Sequence, residues 1–72
     1  MAFDRRNRDD MIWLQDALYK LGIMTPVRIG LYDSHTRKAI ARYQAYHKLL
    51  LTGSPDDSLI AHIKQQLVLK NR

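Results

Sequence analysis

Seventy-two residues with 46% hydrophobic side chains provide for one domain with a single small core and exclude general disorder. The absence of cysteine excludes disulfides and thiolate metal sites, so packing alone must stabilise the fold. Lys+Arg 12 against Asp+Glu 7 gives a net charge of +5, which points to an anionic partner or only to solubility; no apolar run approaches the ~20 residues of a membrane span.

Residues 1–7 read as a flexible N-terminal tail, because Asp4-Arg5-Arg6-Asn7-Arg8 is polar and aperiodic and chain ends are commonly loose. No apolar stretch follows Met1-Ala2-Phe3-Asp4, so no signal peptide is predicted, and work outside the cytoplasm would make this chain a piece of a longer exported protein. The domain is expected over 8–70. Met11, Leu14, Leu18 and Leu21 recur at three- and four-residue steps, which predicts a helix from about Arg8 to Leu21. Asn7 or Asp9 is its candidate cap, and Gly22 is its candidate stop. Trp13 and Tyr19 lie off the central stripe and read as flanks of the core.

Ile23 to Asp33 is predicted to be a long structured loop. Thr25-Pro26 and Gly30 interrupt it, and some of Ile23, Val27, Ile29 and Leu31 should fold back onto the core, with one or two short β-bridges possible in principle. Asp33 or Ser34 caps a second helix, whose inner face is Thr36, Ala39, Ile40, Tyr43 and His47 and which ends near His47 or Lys48. Arg37, Lys38, Arg42 and Lys48 point mainly outward. After Leu49-Leu50-Leu51 and the turn Thr52-Gly53, Ser54-Pro55-Asp56-Asp57 reads as N-cap, N1, N2 and N3 of a third helix. Leu59, Ile60, Ile63 and Leu67 form its buried stripe.

Leu14-Gln15 is echoed by Tyr43-Gln44 one helix later. Each pair is followed by an apolar stretch, a glycine turn (Gly30, Gly53) and a hydroxyl residue in a helix (Thr36, Ser58). With Leu18, Leu21-Gly22, Tyr32, Ala39-Ile40 and Leu49 in register, the chain from about Met11 to Ile63 resembles the peptidoglycan-binding domain type 1 family. Ile29, Asp33, Lys48 and Thr52 stand where that pattern has aspartate, glycine, glycine and aspartate. The resemblance implies an all-α, compact three-helix bundle with a long loop between helices 1 and 2. It also implies a non-catalytic module that holds a larger envelope protein or wall-active enzyme to the bacterial wall, in the envelope or periplasm. Its ligand would be a peptidoglycan stem peptide or glycan, bound near the Gly22–His35 loop. There Arg28, Arg37 and Arg42 can pair with stem carboxylates and Tyr32 can offer an aromatic face.

The residues themselves suggest no enzyme, since no nucleophile stands at a recognisable spacing from a base. No metal or cofactor is expected. His35, His47 and His62 lack metal-ligand spacing and read as surface or core-edge histidines. Two alternatives remain for function. A protein-interaction module would expose an apolar patch at Trp13 or around Leu49–Leu51. A basic nucleic-acid-binding domain is disfavoured, because the first helix connection is far longer than a helix-turn-helix turn and Asp56 and Asp57 would repel phosphate. The isolated domain is expected to be a monomer.

Overall fold

The three periodic stretches become three helices in the computed structural model, which describes residues 3–24 and 30–71. They are α1 (Arg8–Lys20), α2 (Ser34–Tyr46) and α3 (Asp57–Lys70). The apolar stripe of each turns inward. Met11, Leu14 and Leu18 from α1 meet Ala39, Ile40 and Tyr43 from α2 and Leu59, Ile60 and Ile63 from α3 in one buried cluster, with α1 packed on both other helices. Each fully buried leucine or isoleucine contributes roughly 1.5–3 kcal/mol. Leu67 is only half-buried, since α3 outruns the core at its C-terminal end.

A short polar side chain starts every helix. Asn7 Oδ1 accepts from the Asp10 N–H at 3.0 Å, and Asp33 Oδ1 accepts from the Thr36 N–H at 2.8 Å. The third start differs from the sequence expectation. Asp56, not Ser54, is the cap of α3, its Oδ1 accepting from the Leu59 N–H at 2.9 Å. Ser54 and Pro55 are held in the preceding turn, where Thr52 Oγ1 accepts from the Ser54 N–H at 3.1 Å. The same Thr52 hydroxyl donates to Asp56 Oδ2 at 3.2 Å.

α1 and α2 end in the same way. The N–H of Gly22 bonds the Tyr19 carbonyl and that of Ile23 the Leu18 carbonyl, at 2.9 and 2.8 Å. Lys48 and Leu49 repeat the pattern on Ala45 and Gln44, at 3.2 and 2.8 Å. Such a paired closure needs a left-handed residue just past the helix. Gly22 supplies it with φ 77° and Lys48 with φ 58°.

Two further regions show packing that periodicity does not reveal. The stretch read as a tail folds back from Phe3 onward. Phe3 packs against the core, the Asn7 N–H bonds the Asp4 carbonyl at 2.9 Å, and the Asp4 N–H reaches Asp10 Oδ2 at 3.0 Å. An apolar ring near the chain start outweighs the polar run that follows it. In the first loop, Ile23 is half-buried and Met24 buried, whereas Leu31 is 65% exposed. Val27 and Ile29 lie outside the described residues. No β-bridge occurs among the described residues, and at Gly30 and Leu31 the Gln15 side chain bonds the backbone.

Candidate functional site

Two buried glutamines shape the surface. Gln15 Oε1 accepts from the Gly30 N–H at 3.1 Å. Its Nε2 donates to the Leu31 carbonyl at 3.1 Å and to Thr36 Oγ1 at 3.0 Å. Gln44 repeats the device on the second turn. Its Oε1 accepts from the Thr52 and Gly53 N–H groups, each at 3.0 Å, and its Nε2 donates to Thr52 Oγ1 at 2.9 Å. A carboxamide suits both places because it donates and accepts at once without burying a charge.

Against this frame α2 presents a basic cavity. His35, Lys38, Ala39 and Arg42 form one wall, and Gly22, Ile23 and Met24 form the other, around about 410 Å³. The positions 35, 38, 39 and 42 fall on one stripe of a helix. No acidic residue lines the cavity among the described residues. Arg42 Nη1 donates a long 3.5 Å bond to the Ile23 carbonyl, which holds the guanidinium at the cavity rim while most of its donors stay uncommitted to that bond.

The side chains named from the sequence do not converge. Arg42 lines the cavity. Arg37 lies five residues back, well around α2 from Arg42, and packs against Gly53, where an added Cβ would stand 3.1 Å from its Cγ. Tyr32 joins it on that side. Its hydroxyl donates to the Gly53 carbonyl, and the Arg5 guanidinium stands 5.2 Å from the Tyr32 ring centre. Arg28 is outside the described residues. His35 and Lys38, absent from the sequence-based set, share the cavity with Arg42. The helical spacing 35–38–42 is a sequence signal that could have found them.

A second cluster joins the C-terminal end of α2 to α3. The Tyr43 hydroxyl and His62 Nδ1 are 2.6 Å apart, and the His47 and His62 rings lie 4.8 Å apart, with Tyr46 edge-on to His47. Burial pushes the Tyr43 hydroxyl up to about 12. Burial, and then the neighbouring His62, lower the His47 pKa. Asp33 is lowered by the Thr36 hydrogen bonds it accepts as a cap. Among the described residues no three His, Asp or Glu side chains group to hold a metal ion, and no helix is long and apolar enough to cross a membrane.

A family model described as a putative peptidoglycan binding domain matches residues 7–63, which is most of the chain. No curated protein and no solved structure matches the chain.

Proposed function

This chain belongs to the family of peptidoglycan binding domains, and from that premise we propose that it is a non-catalytic module fixing a larger envelope protein or a wall-active enzyme to peptidoglycan. The observation that carries the reading is the α2 cavity. Lys38 and Arg42 with His35 line a recess of about 410 Å³ with no acid among its described lining residues, and stem peptides present carboxylates. Arg42 offers a planar fork matched to a carboxylate, and Lys38 adds a mobile point charge. The recess is large enough for a peptide end and too open for an enclosed reaction. Arg28, Tyr32 and Arg37 are proposed as outer contacts for a ligand that extends beyond it.

Retention on purified insoluble sacculi, at two salt concentrations and with DNA as competitor, tests this. The double variant K38A/R42A is expected to lower retention at least roughly tenfold while the helical circular dichroism is kept, since each charge-assisted contact is worth ~1.5–3 kcal/mol. Arg37→Ala is expected to do less. Full retention by the folded double variant would remove the cavity from the reading. Displacement by DNA with a steep salt slope would replace the wall with nucleic acid.

One observation favours a second reading, a protein-interaction module on the same fold. Tyr46, Leu50 and Leu51 are 76%, 82% and 64% exposed at the end of α2 and in the connection after it. A chain that fails to bind sacculi yet is captured through these side chains by its parent protein or that protein's partner would establish this reading instead.

A further inference from the structure

A second recess lies on the opposite chemistry. Phe3, Trp13 and Ile60 form its apolar walls, and Asp4, Asp10 and Lys64 stand around them, enclosing about 360 Å³. The Phe3 and Trp13 rings meet at 6.4 Å. The N-terminal segment is tied down as one wall by the bond from the Asp4 N–H to Asp10 Oδ2 at 3.0 Å. The Asn7 amide oxygen is committed to capping α1.

Two features give the recess a preference. A cation already rests on its aromatic wall, the Lys64 ammonium standing 5.9 Å from the Trp13 ring centre. Neither Asp4 nor Asp10 is ion-paired among the described residues, although the chain carries twelve Lys and Arg side chains. An indole face beside carboxylates favours an ammonium whose alkyl stem can lie along the ring. The α2 cavity, lined by Lys38 and Arg42 with no acid among the described residues, has the reverse preference.

We propose that the Phe3–Trp13–Ile60 recess is a second ligand subsite that takes a primary aliphatic ammonium arm, the free amine of a diamino acid. Resting on the wall-binding reading, the natural source is the amino arm of a wall peptide whose carboxylate end is held elsewhere on the domain. The Lys64 ammonium is the internal group that such an arm displaces from the ring.

Trp13 is the only tryptophan in the chain, so its emission reports on this recess directly. The probe is Nα-acetyl-lysine amide, which carries one side-chain amine and no carboxylate, titrated into the whole chain. A saturable change in Trp13 emission is expected. It should weaken about tenfold with the Nε-acetylated form of the probe, and by a similar factor in D4N/D10N, which keeps one acceptor oxygen on each side chain and removes the charge. Lys64→Met should tighten binding by removing the competing ammonium. No response, an equal response to the acetylated probe, or binding unaltered in D4N/D10N and weakened in Lys64→Met would each overturn the proposal. So would a response confined to N-acetylglucosamine, which would make the recess a sugar shelf. The titration contains no wall material, so its outcome separates from that of the sacculi experiment. Sacculi retained with Trp13 silent leaves the wall reading standing and removes the subsite. Amine binding without sacculi retention does the opposite.

Discussion

The two halves of the repeat use the same part on different loads. In the first, Gln15 fastens a loop of about a dozen residues through Gly30, Leu31 and Thr36. In the second, Gln44 fastens a tight turn through Thr52 and Gly53. Thr36 is fully buried, whereas Thr52 is exposed. The long loop therefore depends on its glutamine more than the short turn does, because water can reach the Thr52 hydroxyl but not that of Thr36. The difference also explains where the proposed binding surface lies. The long first connection borders the basic cavity of about 410 Å³, while the short second turn borders a smaller recess of about 200 Å³ whose described lining includes Asp56 and no basic residue.

Breaking the two glutamines is the most severe test of that asymmetry. Gln15→Ala should cost about 3–4 kcal/mol, since it leaves the Gly30 N–H and the Thr36 hydroxyl without their buried partner. Gln44→Ala should cost about 2 kcal/mol by the same rule with water allowed in at Thr52. Urea denaturation measures both. A larger loss at Gln44 would mean that the turn, not the loop, carries the fold.

The helix ends sharpen the comparison at a smaller scale. Gly22 and Lys48 occupy equivalent left-handed positions, at φ 77° and 58°, and only the glycine is free of a Cβ penalty there. Lys48→Gly should stabilise the domain by about 1 kcal/mol, and Gly22→Ala should destabilise it by about the same. Thermal melting decides this, and a destabilising Lys48→Gly would show that the lysine side chain contributes more than its backbone conformation costs.

The smallest expected effect is a pH dependence below about pH 6.5 that arises from His47 in the second half. His47 is held below its ordinary value of 6.5 by burial and then by His62. The unfolded chain therefore binds a proton that the folded chain resists, and stability present above about pH 6.5 declines as the pH falls below it. On α2 and α3 the groups facing His47 are Tyr43, Tyr46 and His62, none of which supplies a negative charge in that range. Melts at pH 7.5 and 5.5 should differ for the natural chain and converge for His47→Gln. The loss should be smaller than that in either glutamine variant. An identical slope in His47→Gln would assign the effect to His62 or to the carboxylates.

Helix periodicity made the three helices and their buried stripes legible before any coordinates, as did the Leu14-Gln15 and Tyr43-Gln44 echo. The third helix start was misassigned to Ser54, because serine and aspartate both accept from an exposed N–H. Only the Thr52 contacts decide that Asp56 does so. Phe3 looked like part of a tail because one aromatic ring near a chain end has no period to reveal its target. Of the side chains read as site candidates, Arg42 could be recognised by type, but its company could not. The sequence places Arg37 and Arg42 close together, and the helical turn sends them to different faces.

What the sequence by itself determined is therefore local and periodic: three amphipathic helices, their glycine and polar boundaries, and an ordered set of motifs from about Met11 to Ile63, the Leu/Tyr-Gln repeat among them, that marks the family. Short-range sterics and the period of the α-helix suffice for that. The tertiary structure alone decided which polar groups meet. It gave Gln15 and Gln44 their loops, laid Gly22, Ile23 and Met24 against the His35–Lys38–Arg42 stripe of α2, and brought Phe3 and Asp4 to Trp13 and Ile60. Such contacts join residues far apart in the chain, and their formation depends on how the packed helices are oriented rather than on any local preference.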